Sequence, residues 1–175
     1  MLNFEYKNSV KVIFGKDTIS KVANEIPKNA KVLMTYGGGS IKKNGVYEQV
    51  KNALSKFKLL EFGGIEANPH YETCMKAVEI VKNENIDFLL SVGGGSVLDA
   101  TKFIAAAALY TNGDPWDILV KKQPVQNALP IGAVLTLPAT GSEMNGNSVI
   151  TRVSTLEKNG IWIAKSNAPI FNSQS

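Results

Sequence analysis

Tyr36-Gly37-Gly38-Gly39-Ser40 follows the apolar run Lys31-Val32-Leu33-Met34-Thr35, and Gly93-Gly94-Gly95-Ser96 follows Asp87-Phe88-Leu89-Leu90-Ser91-Val92. A strand feeding straight into consecutive glycines leaves backbone N–H groups uncovered and permits positive φ. The chain can then wrap an anion at the start of the next helix. The chemistry that suits such turns is the holding of nucleotide phosphates. Neither tetrad completes Gly-x-Gly-x-x-Gly, because Lys42 and Leu98 occupy the sixth positions, and no Gly-Lys-Ser/Thr follows either one. Each could serve simply as a tight strand-to-helix turn. Their repetition, both closed by a serine able to cap a helix or hold a phosphate, favours binding.

Ser96-Val97-Leu98-Asp99 also fits a capping box, in which serine and acid reach each other's backbone N–H groups. That reading explains Asp99 without a ligand, and a capped helix start would still offer N–H groups to a pyrophosphate. In an open parallel sheet, neighbouring strand ends converge on one crevice. This suits one tetrad to the ribose end of a dinucleotide and the other to its pyrophosphate. Sites selective for NAD(H) place an acid at the adenosine ribose. The first tetrad has none and is followed by Lys42 and Lys43, which favours NADP(H). The alternative for these lysines is a solvated surface.

His70 and Cys74, the one histidine and the one cysteine, stand four apart and could share a helix face as metal ligands. One pair leaves a metal short of ligands, so the expected roles are a loop histidine and a small buried apolar cysteine. No internal disulfide is possible.

The elements that must position these groups alternate. Strands are expected over 11–14, 31–36, 58–62, 87–92 and 131–137, and helices over 17–26, 46–57 and 97–109, with another carrying Cys74, Met75, Val78 and Val81 before Asn83 and Asn85 end it. That order predicts an α/β fold, a parallel sheet with helices on its faces. Thr140-Gly141-Ser142-Glu143 follows the last strand and offers two hydroxyls to the same crevice. Beyond it, strands over 148–153 and 161–165 are expected around a turn at Glu157-Lys158-Asn159-Gly160. No helical segment follows this hairpin.

With 44% apolar and 19% charged residues in 175, the chain has the makings of one folded domain over 1–175. A net charge of +4 without like-charge blocks argues against nucleic acid, and no apolar stretch approaches a membrane span. The start lacks the layout of a signal peptide, so the cytoplasm is the expected location.

Both tetrads, Glu61-Phe62-Gly63-Gly64-Ile65-Glu66-Ala67-Asn68-Pro69 and Leu135-Thr136-Leu137-Pro138-Ala139-Thr140-Gly141-Ser142-Glu143, in this order, make the chain similar to the iron-containing alcohol dehydrogenases. It most resembles their branch of NADPH-dependent butanol dehydrogenases and aldehyde reductases. The resemblance implies a Rossmann-like, dinucleotide-binding N-terminal domain ending in a β-hairpin. In the family a helical domain then supplies an aspartate and three histidines to a divalent metal such as iron or zinc. That helical domain is expected to be absent here, with no catalytic or metal-ligating residue in this chain.

The resemblance puts Gly37, Gly38 and Ser40 at the adenosine ribose and its 2′-phosphate, with Asn68 and Pro69 near the adenosine. It puts Gly94, Gly95 and Ser96 at the pyrophosphate and Asp99 close to the nicotinamide. Thr136, Leu137 and Thr140 would line the cofactor with Asn145 nearby, and Lys158 would reach back to the ribose or a phosphate. Thr136 also reads as a plain sheet residue, and Lys158 as a solvated turn charge. The family chemistry is hydride transfer between NADPH and a small aldehyde or primary alcohol. The chain alone is expected to bind cofactor weakly or not at all and not to turn over aldehydes, with a homodimer or a complementing C-terminal polypeptide as possible partners. The competing readings are a fragment of a dehydroquinate synthase-like or glycerol dehydrogenase-like enzyme, and a non-enzymatic binding module.

Overall fold

The computed structural model describes residues 8–121, 125–162 and 169–172, with backbone alone for 161, 162 and 169–172. Its main sheet contains β1 (Lys11–Phe14), β2 (Lys31–Tyr36), β3 (Lys58–Phe62), β4 (Phe88–Gly94), β5 (Ile131–Leu137) and β8 (Pro169–Asn172). They lie in the order β1-β8-β5-β4-β2-β3, and every pairing is parallel. The strand β8, unanticipated from the sequence, inserts between β1 and β5.

The alternation of side chains along a strand builds a core on both faces. Val32 and Met34 join Phe88, Leu90, Val92 and Val134 on one face, against Ile19, Val22, Val46 and Val50. Leu33, Leu89, Ala133 and Leu135 point the other way, against α4 (Tyr71–Glu84) and α5 (Gly95–Ala108). The run of small residues in α5, with Ala100, Ala105, Ala106 and Ala107 all buried, lets this helix lie close on the sheet. A hydroxyl pair, Thr35 Oγ1 to Thr101 Oγ1 at 2.6 Å, joins β2 to α5 inside that core. Asn85 ends α4 in the left-handed conformation at φ 51°, a cap that asparagine tolerates well.

Three expected elements differ. The helix expected over 46–57 ends at Ala53, with Leu54 as its cap. The helix over 17–26 forms as a 3-10 turn, Thr18–Lys21, and one helical turn, α1 (Val22–Glu25). The hairpin pairs β6 (Asn147–Arg152) with β7 (Glu157–Trp162), and Arg152 faces Glu157. Its turn therefore lies at Val153–Thr155 and Leu156, and not at 157–160. Asn159 and Gly160 sit within β7 opposite Ile150 and Val149, so ladder pairing overrides the Asn-Gly turn preference. Residues 163–165, expected to extend this strand, lie outside the described residues.

The connections matter most for function. β2 and β4 are neighbours, yet the chain leaves β2 for β3 on one side and β4 for β5 on the other. The crevice between their carboxyl ends is a topological switch point, where open parallel sheets receive ligands. Both glycine tetrads open onto it. Among the described residues no helix is long and apolar enough to cross a membrane.

Candidate dinucleotide-binding site

At the end of β2, the Gly37 carbonyl accepts from Gly64 N–H at 3.1 Å and the Tyr36 carbonyl from Ile65 N–H at 3.2 Å. The 63–65 segment is thereby fixed beside the first tetrad. A Cβ on Gly37 would approach the Ile65 carbonyl oxygen to 3.3 Å, whereas nothing lies within 4 Å of one on Gly38. Gly39 has φ 99°, and Ser40, exposed, opens α2 (Ser40–Lys43). From α2, Lys42 Nζ lies over the rings of Tyr36 and Tyr47, at 5.3 and 5.0 Å from their centroids.

At the end of β4 the strand becomes α5 with no intervening residue. The three glycines there serve different ends. A Cβ on Gly93 would meet Val97 Cγ2 at 2.8 Å, and one on Gly95 would meet Thr140 Oγ1 at 2.5 Å. One on Gly94 would meet only Leu137 Cβ, at 3.8 Å. The register slips between Gly93 and Gly94, which sets Gly94 opposite Leu137. No side chain caps α5, so its leading N–H groups and dipole face the crevice, a setting for a phosphate.

The capping box does not form. Ser96 Oγ donates to the Ala67 carbonyl. Asp99 turns away from its own helix start, accepting from Ser142 Oγ and, at 3.1 Å, from Val149 N–H. Asp99 thus ties α5 to the 140–147 turn and to β6. Cross-element donors prevail over the local N–H groups that the sequence offered.

The remaining candidates gather on the same side. Thr136 is half-buried; Leu137 and Thr140 are exposed. Asn145 shapes its own turn, donating to the Gly141 carbonyl at 2.8 Å and accepting from Asn147 N–H at 2.8 Å. Pro69 is buried, and its carbonyl accepts from Thr151 N–H at 2.9 Å, docking the hairpin on the 66–70 loop. Lys158 Nζ reaches Asn68 Oδ1 at 3.4 Å, which brings these two sequence-distant candidates together.

The sequence reading missed Lys102. Its side chain is 2% exposed, and Nζ donates to the Ser142 carbonyl (2.6 Å), Ser142 Oγ (2.7 Å) and the Asn147 carbonyl (2.7 Å), with Asp99 Oδ1 at 3.8 Å. Burial pushes its pKa down to about 8, although Asp99 and Glu143 pull it up. The available signal was a lysine one turn after Asp99 in a helix whose other residues are small or apolar apart from Ser96 and Thr101.

His70 and Cys74 are not paired. His70 Nδ1 lies 3.3 Å from Glu66, and Cys74 is fully buried in the α4–α5 core, where burial pushes its thiol up. Reaction of Cys74 with an aromatic disulfide reagent should run about 1,000-fold slower in the native protein than in denaturant, because the thiolate forms only on opening. Comparable rates in both would contradict this burial. Among the described residues no group of three or more His, Cys, Asp and Glu side chains could hold a metal ion.

Known proteins share this fold. The chain is 54% identical over 160 residues to the NADPH-dependent aldehyde reductase YqhD of Escherichia coli, a match covering 90% of this chain and 41% of that protein. It is 53% identical over 163 residues to a probable NADH-dependent butanol dehydrogenase of Bacillus subtilis, covering 91% and 42%. The crystal structure of E. coli YqhD superposes with a TM-score of 0.92 over 97% of this chain and 45% of that one, at 50% identity. A butanol dehydrogenase structure from Thermotoga maritima gives 0.91 over 97% and 44%, at 46% identity. The chain thus spans less than half the length of these relatives. The model of the family described as iron-containing alcohol dehydrogenase matches residues 9–170. That match runs from just before the first strand of the parallel sheet into the last, and it makes the chain a member of the iron-containing alcohol dehydrogenases.

Proposed function

We propose that this chain is the NADP(H)-binding portion of a metal-dependent alcohol dehydrogenase or aldehyde reductase. The observation that carries this reading is the placement of both glycine turns at the switch point, with open space where Gly38 lacks a Cβ and only Leu137 Cβ, at 3.8 Å, where Gly94 does. Such a cradle fits a pyrophosphate, whose oxygens need backbone donors at contact distance. Gly94, Gly95 and the start of α5 would hold the pyrophosphate, and Gly37, Gly38 and Ser40 the adenosine ribose. Asn68 and Lys158 would close over that end. Asp99, through Ser142, holds the Thr140 turn beside Gly95, where it would line the nicotinamide half.

NADP(H) is favoured over NAD(H) by the residues alone, since the E. coli relative's name carries NADPH and the B. subtilis relative's NADH. The first tetrad brings no acid. Lys42, exposed beside it, pairs with no carboxylate among the described residues and could meet a 2′-phosphate. When bound, the cofactor supplies or accepts the hydride exchanged with a small aldehyde or primary alcohol. The described residues do not fit the family's metal, so the role proposed for this chain is to bind and orient the cofactor.

Calorimetric titration with NADPH should give saturable binding at high-micromolar to millimolar concentrations, unaffected by divalent metal or chelator. Absence of heat at millimolar NADPH would overturn the reading. With butanal added, NADPH absorbance at 340 nm should stay constant whether or not Fe²⁺ or Zn²⁺ is present. A metal-dependent decay would show that the chain carries more of the active site than proposed.

A further inference from the structure

The end of β3 carries an acid that the cofactor reading leaves unused. Glu61 pairs in register with Met34 of β2, three residues before the first tetrad. It shares a sheet face with Tyr36, and α3 (Val46–Ala53) covers that face with Tyr47 and Lys51. An acid on a strand end beside an adenosine ribose is placed to accept from the 2′-hydroxyl, which is how NAD(H) is chosen. Here the carboxylate is already engaged. Tyr47 Oη donates to it at 2.9 Å, Lys51 Nζ forms an ion pair at 2.7 Å, and Tyr36 Oη lies at 3.5 Å.

The same residues hold Lys42. Tyr36 and Tyr47 meet edge to face, with ring centroids 6.2 Å apart, and both rings carry the Lys42 ammonium. A cation over aromatic faces keeps its charge and its donors available to a further anion. Lys51 is thus bonded directly to the acid, while Lys42, whose charge also acts on Glu61 but which forms no ion pair with it, stands next to Ser40.

We infer that Tyr47 and Lys51 are positioning residues for cofactor choice: they restrain the Glu61 carboxylate away from the ribose 2′-oxygen and leave Lys42 to meet a 2′-phosphate. This rests on the NADP(H) reading of the first tetrad. The titration of the group agrees with it. Burial pushes the Glu61 acid up, but hydrogen bonds from Lys51 and Tyr47 outweigh this and hold it below the usual carboxylate range. The hydrogen bond to Glu61 raises the Tyr47 phenol and the Lys51 amine above their ordinary values.

Adenosine 2′,5′-bisphosphate and adenosine 5′-monophosphate probe this end alone, by NMR titration of the same chain. The unmodified chain should prefer the bisphosphate by about 10-fold or more, a margin typical of a charge-assisted phosphate contact. In Tyr47→Phe/Lys51→Met that preference should fall about 10-fold, mainly because the monophosphate binds more tightly. Adding Glu61→Gln should restore the preference, a rescue that general loosening of α3 would not produce. Lys51→Met alone should move the ratio the same way by about 3-fold, and it serves if the double variant melts early. An unchanged ratio in both Lys51→Met and the double variant, or no rescue by Glu61→Gln, overturns the restraint while leaving the NADP(H) reading intact. Lack of preference in the unmodified chain overturns the NADP(H) reading itself, and binding of neither probe overturns the cofactor site.

Discussion

Gly94→Val is expected to weaken NADPH binding about 100-fold, near 2.7 kcal/mol, while changing stability by less than about 1 kcal/mol. The two effects separate because of where this glycine stands. Its backbone, at φ −90° and ψ −170°, is extended and suits a β-branched residue. A Cβ there finds only Leu137 at 3.8 Å, an ordinary contact with an exposed side chain. The fold therefore makes no demand for glycine at 94, whereas a ligand that approached the backbone would. Its neighbour behaves in the opposite way. Gly93→Val would drive Cβ to 2.8 Å from buried Val97, an overpacking that costs about 1–3 kcal/mol. Thermal melts and calorimetric titration of both variants test the division of labour. If Gly94→Val kept its melting temperature and bound NADPH as before, the second tetrad would not be the pyrophosphate turn.

What the sequence disclosed, and what it hid, follow from the range of the interactions involved. The strands β2 and β4 were legible because a run of apolar residues broken by glycines is a local signal, although β4 runs on through Gly93 and Gly94, and their helices repeat apolar residues every three or four positions. The order of strands was not legible as such. That β8 should lie between β1 and β5 depends on pairings across the whole length of the chain. Asp99 shows the same limit at the level of one side chain. Ser96 and Asp99 have the spacing of a capping box, but Ala67, Ser142 and Val149, remote in sequence, offer partners that take both away. The hairpin formed, but its turn moved for a related reason: Asn159-Gly160 prefers a turn locally, and the β6 ladder places both inside a strand. The tertiary partners also explain Glu61 and Lys51, ten residues apart on different elements and joined only when α3 covers the sheet.

Lys102→Met should lower stability by about 2–4 kcal/mol at neutral pH, a fall in melting temperature of about 5–15 °C. Methionine fills the stem of the lysine but takes the Lys102 donor from the carbonyl of buried Ser142 and from the partly buried Asn147 carbonyl. Asp99 also loses its neighbouring cation. The pH dependence gives the prediction a second, sharper arm. Burial lowers the native pKa of Lys102 to about 8 from an ordinary 10.5. Below pH 8 folded and unfolded chains both carry the proton, and the cost of burying the charge stands in full. Between pH 8 and 10.5 the unfolded chain binds more protons than the folded one, so stability contributed by this group rises with pH. Methionine has no proton to lose, and the other groups titrate alike in both proteins. The stability gap between the wild type and Lys102→Met should therefore widen by up to about 3 kcal/mol across that window. Urea unfolding at pH 7, 8.5 and 10 measures it. A gap that stayed constant would mean that the Lys102 amine holds its proton in the fold as readily as in water, and that the acceptors around it fully offset its burial. Loss of these contacts should also free the 140–147 turn, which Asp99 and Lys102 together fasten beside Gly95. The variant is accordingly expected to bind NADPH several-fold more weakly even under conditions where it is fully folded.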